Sequence, residues 1–295
     1  MRVLRGKAAR GAVACCLTLT SCAALVPRGA PRAVVRGPLP TRIQHPLALV
    51  SPHLGLRRAV AQPAGELGLG VDLSYSSIFE AVDLNGQRVV FDGESARAVT
   101  RMRFGLGAGW DVESEVGALY ADGGFLDEFV SAFHDFFGFP NQGRETVDDD
   151  DFDMSVRSQG RELYALQAHE LQVEDLPLIF TYADEAPRAD AWSRAWRVGV
   201  ELPTGSERGG AGNGEIDALL GVCAERSIGR ATHTLGLAWI DTHTPSAFRG
   251  SGIGLSKLVE CEYACELRWS DVSSLVVQFD GLSALCDDIP YEEIN

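Results

Sequence analysis

The amino-acid sequence predicts an all-β protein, an antiparallel meander β-barrel of about 10–12 strands with one amphipathic helix inserted. Apolar and charged residues alternate in the segment KLVECEYACELRW at 257–269, and successive side chains of a strand point to opposite faces. Similar alternation recurs along most of the chain, which begins with what resembles an export signal. Aromatic residues fall near the ends of the expected strands: Trp110, Tyr120, Trp196, Trp239 and Trp269. Together these observations favour a barrel in a bacterial outer membrane.

Residues 1–22 have the features of a secretory signal peptide. A basic stretch at 1–10 precedes an apolar run at 11–19. The residues LTSC at 19–22 resemble the bacterial lipobox, in which Cys22 would be lipidated and become the mature N-terminus. The alternative is ordinary signal cleavage near Ala23 or Ala24, with Cys22 lost or incidental. Both routes predict export, and the sequence leaves open which signal peptidase cuts.

Residues 23–60 are rich in proline, arginine and glycine, and we expect little regular structure there. This segment is either a leader or a plug. Its stretch GPLPTRIQHPLAL at 37–49 could line or fill the interior of a barrel; the alternative is a flexible leader. The β-barrel domain is then expected to occupy residues 61–295.

The alternating pattern places the strands of this domain. Leu67, Val71 and Tyr75 share one face of a first strand that begins near residue 66. The segments 98–106 and 110–118 flank a glycine-containing turn and predict a hairpin. Further strands are expected around 175–182, 192–202, 216–222, 231–239, 257–269 and 275–279.

The segment at 124–138 breaks the strand period and predicts the inserted helix. Phe125, Phe129 and Phe133 recur at helical spacing, and Gly138 followed by Pro140 provides a stop. Such a helix could lie at a membrane interface, where aromatic residues favour the headgroup level. It could equally pack on a rim of the barrel or inside it.

Charge is distributed unevenly along the chain. Residues 1–65 carry ten basic residues and no acidic residue, whereas the remaining 16 basic and 41 acidic residues give the rest a net charge of −25. A strongly acidic body argues against nucleic acid as a partner, because phosphate binding needs a basic surface. It is compatible with attraction of cations, or with acidic residues that simply keep an exposed surface soluble.

The charged faces of the strands are candidates for a lumen, which would then be acidic and favour cations. The residues expected to line it are Glu201, Glu215, Asp217, Glu260, Glu262, Glu266, Arg268 and Asp280. This pattern predicts a passive channel or small-solute transporter in the outer membrane. In an alternative, the same side chains solvate a plugged, non-conducting interior. A further alternative is a non-enzymatic structural or adhesive envelope lipoprotein with a soluble β-sandwich.

No motif predicts an enzyme. The sequence has no GxSxG nucleophile elbow and no HExxH or CxxC pair, and the stretch GGAGNG at 209–214 is not a nucleotide-binding loop. We therefore expect no catalytic residue, no metal site and no cofactor. The acidic run at 148–153 is interpreted as a solvated loop. The expected partners are outer-membrane lipid and the barrel insertion machinery, and the oligomeric state stays open.

Three segments in this order resemble a known bacterial family. They are GPLPTRIQHPLAL at 37–49, GFLDEFVSAFHDFFGFP at 124–140 and WRVGVELPTGS at 196–206. Together they resemble the uncharacterised domain of unknown function 3187, whose members are treated as outer-membrane barrel proteins. The resemblance covers most of the chain from about residue 37 and implies a fold and a location. It brings no catalytic residues.

The C-terminus departs from the pattern of outer-membrane barrels. Such barrels commonly end on a strand whose last residue is aromatic, whereas this sequence ends IPYEEIN at 289–295. We expect the barrel to be incomplete at this end, which would leave an unpaired strand edge. The alternative is that the barrel interpretation is wrong.

Overall fold

The structure is a computed structural model that describes residues 36–84, 86–141, 143–144, 147–183 and 191–287. The predicted signal peptide with Cys22, and the C-terminal residues 288–295, lie outside the described residues. The described chain folds mainly into antiparallel strands that form one curled sheet. The predicted fold class, an antiparallel meander of barrel type with one inserted helix, is therefore confirmed.

Fourteen strands, two α-helices and a short 3-10 helix follow one another along the described chain. In order they are α1 Pro46–Leu49, β1 Leu67–Leu84, β2 Gln87–Gly107, β3 Trp110–Asp122, α2 Asp127–Phe137, β4 Asp153–Ser158, β5 Arg161–Ala165, β6 Gln172–Val173, β7 Leu176–Ala183, β8 Ser193–Leu202, β9 Asp217–Ile228, β10 Ala231–Asp241, the 3-10 helix Ser246–Phe248, β11 Gly254–Leu255, β12 Leu258–Arg268, β13 Ser274–Leu282 and β14 Cys286–Asp287. No helix among the described residues is both long and apolar enough to cross a bilayer.

The main sheet runs in the order β1-β2-β3-β7-β8-β9-β10-β12-β13, and every neighbouring pair is antiparallel. Short turns connect β2 to β3, β9 to β10 and β12 to β13 at one end, the turn end; β9, for example, passes into β10 through Gly229 and Arg230. Long connections gather at the opposite loop end, where β4 and β5 continue the sheet beside the extended part of β2. Among the described residues, β1 pairs with β2 alone and β13 with β12 alone, so these two strands form the sheet edges.

The polarity of the sheet is inverted relative to a water-soluble protein. On β8, Ala195, Arg197 and Glu201 point to a buried face, whereas Trp196 and Val198 on the other face are 59% and 52% exposed. The same alternation of buried and exposed positions runs along β9 and β12. The sheet therefore buries its charged face and exposes its apolar face.

Residues 36–62, which we call the inner segment, lie against the charged face. They bond to side chains of β3, β8, β9, β12 and β13, so the sheet must curl around them, and the charged face is concave. The segment enters beside Glu266 near the turn end, and α1 forms its tip among apolar residues at the loop end. It then returns to Asp111 at the turn end, where β1 begins.

Apolar packing holds the two ends of the inner segment differently. At the loop end, Leu47, Leu49 and Val50 are buried in a cluster with Phe91 of β2 and Phe248 of the 3-10 helix. The strands of the main sheet form the wall around the inner segment. Farther from the loop end, Leu56 and Ala59 pack on small residues of this wall, namely Ala183, Ala195, Cys223 and Ala264. Burying these apolar side chains stabilises the docked segment in addition to its polar contacts.

Helix α2 spans Asp127–Phe137, which confirms the helix predicted at 124–138. It ends where predicted, because Gly138 adopts a positive φ of 71° that favours glycine. Strands β1 and β2 extend beyond the predicted segments to 18 and 21 residues. Their loop-end halves lack a simple alternation, since consecutive residues of β2 from Phe91 to Ser95 are all buried.

Candidate functional site

Glutamates of β12 bind the backbone of the inner segment at two places, residues 36–37 and residues 54–56. Glu266 accepts hydrogen bonds at 3.0 Å from the backbone N–H groups of Arg36 and Gly37. Glu260 accepts one at 3.2 Å from the N–H of Leu54, and Glu262 accepts one at 2.9 Å from that of Leu56. Because the three carboxylates are all buried, these bonds satisfy charges that would otherwise be costly to desolvate.

Strand β13 binds residues 39–41 of the inner segment through polar side chains. Gln278 accepts a hydrogen bond from the N–H of Leu39 at 2.9 Å and donates to Thr41 Oγ1 at 2.7 Å. The Thr41 hydroxyl in turn donates to Asp280 at 2.5 Å. The contacts involve alternate residues of both partners, 39 and 41 on the segment and 278 and 280 on the strand, so the segment lies along the strand in a defined register.

Arginines of the inner segment neutralise carboxylates on the opposite part of the wall. Arg57 lies 3.4 Å from Glu113 and 3.1 Å from Glu115 of β3. Arg58 lies 2.8 Å from Glu225 of β9. Such charge-assisted bonds are among the stronger ones in a water-poor interior. The basic character of the N-terminal part thus has structural partners on the wall.

The wall also supplies a cation to the inner segment. Arg197 of β8, which is 2% exposed, donates to the carbonyl oxygens of Leu54 at 2.8 Å and Gly55 at 2.5 Å. Its guanidinium also lies 3.6 Å from Glu113. Arg197 therefore connects the backbone of the segment with the charge network of β3.

Further arginines of β2 cross-link the strands themselves. Arg101 lies 2.6 Å from Glu115 and 2.8 Å from Asp72 of β1. Arg103 lies 2.6 Å from Asp111 and donates to the carbonyl oxygen of Val60 at 2.8 Å. The concave face is thus a network of paired charges, in which the inner segment is an integral partner.

His53 is a titratable contact between the inner segment and the wall. Its Nδ1 lies 2.6 Å from Glu260, and its Nε2 lies 3.0 Å from the carbonyl oxygen of Thr41. Burial alone would lower the pKa of His53, but the nearby Glu260 and Glu262 carboxylates outweigh burial and raise it above the ordinary value. Protonation of His53 is therefore favoured in the docked arrangement.

The residues that the sequence nominated as lumen-lining fall into three groups. Glu201, Glu260, Glu262 and Glu266 are buried on the concave face. Asp217 is also buried, at the loop end, where it bonds Asn213 at 2.5 Å and His243 at 2.9 Å.

The remaining three nominated residues lie nearer the rims. Glu215 precedes β9 and lies 3.4 Å from Arg249 in a partly exposed pair. Arg268 ends β12 near the turn end and is partly exposed. Asp280 is exposed at its place on β13 beside Thr41. The structure therefore brings Glu260, Glu262 and Asp280 together around one stretch of the inner segment.

Sequence reasoning missed the basic half of this network. Arg57, Arg58 and Arg197 each contact a buried carboxylate, yet none was nominated. The signal that could have identified Arg57 and Arg58 is the charge of the N-terminal part of the chain. Its arginines occur without any acidic residue, whereas the strands carry the excess of acidic residues. Charge complementarity between two parts of one chain could have identified the segment as a partner of the wall.

One cavity of about 30 Å³ lies between the inner segment and β12 and β13, with Arg42, His53, Glu260 and Asp280 in its lining. A volume of this size accommodates about one or two water molecules. Among the described residues, no group of histidines, cysteines and carboxylates is arranged to hold a metal ion.

Comparison with known proteins identifies a matching family and similar solved structures. The COG4313 outer membrane channel from Pseudomonas putida F1 is 14% identical, with a TM-score of 0.46 over 76% of this chain and 74% of that chain. None of the curated proteins compared with the chain is similar to it in sequence. A family model described as protein of unknown function (DUF3187) matches residues 14–293. The chain belongs to this family, DUF3187.

Proposed function

We propose that the protein is an outer-membrane channel of barrel type whose lumen is the concave face and whose inner segment occludes that lumen. One observation carries the proposal: nine neighbouring strands expose apolar side chains on the convex face, and five of them, β2, β3, β8, β9 and β12, bury charged side chains on the concave face. Water would make this arrangement costly, whereas a bilayer outside and a polar interior inside would stabilise it.

The dimensions of the exposed face support a membrane location. On β3 the exposed aromatic residues Trp110 and Tyr120 bound the apolar face. Ten residues span about 33 Å along a strand, and a tilt of about 40° reduces this to about 25 Å of height. That height equals the apolar band of outer-membrane barrels, with an aromatic residue at each edge.

The inner segment supports occlusion. Its contacts reach β3, β8, β9, β12 and β13, so it crosses the concave face rather than following one strand. Its arginines and backbone N–H groups occupy the carboxylates that would otherwise attract cations in an acidic lumen. We propose that conduction requires this segment to leave the concave face.

Export, lipidation and assembly belong to the same proposal. A bilayer tolerates no open sheet edge, so β1 and β13 must be joined in a closed wall, which the barrel insertion machinery would assemble in outer-membrane lipid. Lipidation at Cys22 would anchor the N-terminus. Incorporation of labelled palmitate into the wild type and its loss in Cys22→Ser would support that anchor. No enzymatic activity is proposed.

The first test is a comparison of gel mobility with and without boiling for the protein in membrane fractions. A closed, detergent-stable barrel migrates differently before and after boiling, so a shift supports the proposal. Soluble material without a shift would instead favour the β-sandwich alternative.

The second test is conductance in planar bilayers. We compare the full chain with a variant in which residues 38–60 are replaced by a short glycine-serine linker, and we use the gel shift as the control for folding. The proposal expects small or absent currents for the full chain and a severalfold larger conductance for the variant. Equal conductance would refute occlusion, and no conductance in either protein would favour a structural envelope role.

Selectivity tests the acidic lumen separately. In the variant lacking 38–60, Glu260 and Glu262 have lost their partners on the inner segment. Replacing both by glutamine should lower the preference for cations over anions, measured as the reversal potential in a salt gradient. An unchanged reversal potential would show that these carboxylates do not set selectivity.

A further inference from the structure

Helix α2 presents its apolar side away from the protein. Phe129 and Phe136 are 65% and 82% exposed, and Phe133 and Phe137 on the same side are exposed as well. By helical spacing Ala132 joins them, so this outward side carries no charge. A helix on the surface of a soluble protein has the opposite orientation.

The polar side of α2 holds the helix in this orientation. Asp127 at its start is buried and paired with Arg144, and it accepts a hydrogen bond from the N–H of Asp150 at 2.9 Å. Near the other end, His134 bonds Asn141 at 2.9 Å. The cation of Arg144 also lies 5.3 Å from the ring centre of Phe79 of β1. Polar contacts thus fix the helix to the protein and leave its phenylalanines outside.

Two flanking residues enlarge the apolar surface. Phe125 before the helix and Phe139 after it are 69% and 52% exposed. The rings contact one another, with centres 4.7 Å apart for Phe133 and Phe137 and 5.9 Å apart for Phe137 and Phe139. We call this surface the phenylalanine patch: Phe125, Phe129, Phe133, Phe136, Phe137 and Phe139. An exposed patch of this kind marks an interaction site.

The phenylalanine patch continues the apolar convex face. On β1 the exposed apolar series that begins at Leu67 ends with Tyr75. The rings of Tyr75 and Phe125 are 5.5 Å apart between centres. Glu94 fixes this junction, because it accepts hydrogen bonds from the Tyr75 hydroxyl and the Leu126 N–H. The patch therefore lies at the loop-end border of the apolar band.

We propose that the phenylalanine patch is a membrane-interface anchor, which inserts its rings among the acyl chains just below the lipid headgroups at the loop end. This inference rests on the proposed function, since it needs the convex face to lie in a bilayer. Lipid is the occupant that the observations favour, because the patch is continuous with the lipid-facing band and lies at its border. Aromatic rings concentrate at this level of a bilayer.

The test is quenching of a single added tryptophan by lipids brominated near the headgroup or deep in the acyl chain. Phe136→Trp reports the patch, and Asp135→Trp, on an exposed but polar side of the same helix, is the matched control. Leu73→Trp on β1 reports the apolar band. Each spectrum is read as the difference from the parent, which has five native tryptophans.

We expect shallow bromine to quench Phe136→Trp at least about twofold more than Asp135→Trp. Strong quenching of Leu73→Trp without quenching of Phe136→Trp would overturn the anchor and leave the proposed function intact. Absence of quenching at both positions would refute both proposals. A blue shift of Phe136→Trp that depends on protein concentration, without bromine quenching, would identify a second copy as the occupant and overturn the anchor.

Discussion

Individual carboxylates on the concave face are held by partners from a distant part of the sequence. Glu260 is the clearest case, since it contacts both the backbone of Leu54 and the ring of His53. A buried carboxylate with such partners is stable only while they remain in place, because an unpaired buried charge is costly. The docking of the inner segment therefore depends on single residues.

Glu260→Gln should weaken this docking. Losing a charge from a buried hydrogen bond costs about 1–3 kcal/mol, and about 1.4 kcal/mol corresponds to a tenfold change in population. We expect trypsin to cut the folded protein after Arg57 and Arg58 about ten times faster. Glu215→Gln, in a partly exposed rim pair, is the control. Equal cleavage rates in both variants would contradict this role of Glu260.

His53 should make docking depend on pH. Its pKa is raised in the docked state by Glu260 and Glu262, so docking is strongest below the ordinary histidine pKa of about 6.5 and weakens as the pH rises through the raised value. Arg42 lowers the pKa and Asp280 lines the same cavity. The rate of tryptic cleavage in the inner segment should therefore increase above pH 6.5 more steeply than the rate of cleavage of a control peptide.

The control for this pH dependence is His53→Gln, which keeps a hydrogen-bonding side chain but does not titrate. Its normalised cleavage rate should be flat over the same range. A pH dependence identical to that of the parent would assign the titration to another group.

At the scale of elements, the inner segment fits because small residues of the wall leave room for it. A Cβ atom added to Gly221 of β9 would lie 2.3 Å from Leu54 Cδ2, and one added to Gly236 of β10 would lie 2.7 Å from Leu56 Cδ1. The glycines thus form the groove into which the two leucines pack. A strand without this segment would gain from larger residues at both positions.

Gly236→Val should consequently displace the inner segment and leave the strands intact. We expect an increase in channel conductance and in tryptic cleavage, with the gel shift on boiling retained. Gly70→Val on β1 is the matched control, because a Cβ there meets only the Arg101 guanidinium, at 3.9 Å. If both variants behaved alike, packing against Leu56 would not hold the segment.

At the scale of the whole molecule, the decisive property is the inverted polarity of the sheet. Val198 on β8 is 52% exposed, while its neighbour Arg197 is 2% exposed. A solvated surface would select the opposite arrangement. The buried charged residues are stabilised by one another and by the inner segment, whereas the exposed apolar residues would be stabilised by a solvent other than water.

Val198→Arg should strongly impair insertion into a bilayer. Arginine on the lipid face near the midplane of an outer-membrane barrel costs about 2–4 kcal/mol, measured as the free energy of folding into vesicles in a urea titration. Gln167→Arg, at an exposed position of a loop, should change this free energy by less than about 0.5 kcal/mol. A similarly small effect at Val198 would argue that the convex face does not contact lipid.

Alternation of side chains located most of the strands, and a glycine-containing turn predicted a hairpin, because both signals depend on residues adjacent in sequence. Alternation also identified which residues of β8 and β12 share a face, and helical spacing located α2. These features are local, so the chain encodes them directly. The loop-end half of β2 was not predicted, because burial on both faces there removes the period of two.

The position of residues 36–62 was decided only by the tertiary structure. Their proline-rich sequence is compatible with a flexible leader, and no local pattern pairs Arg58 with Glu225 or His53 with Glu260. Those contacts join residues far apart in sequence, so they exist only once the sheet has curled. The outward orientation of α2 has the same origin: its spacing defines an apolar side, but the buried pair of Asp127 and Arg144 determines which way that side faces.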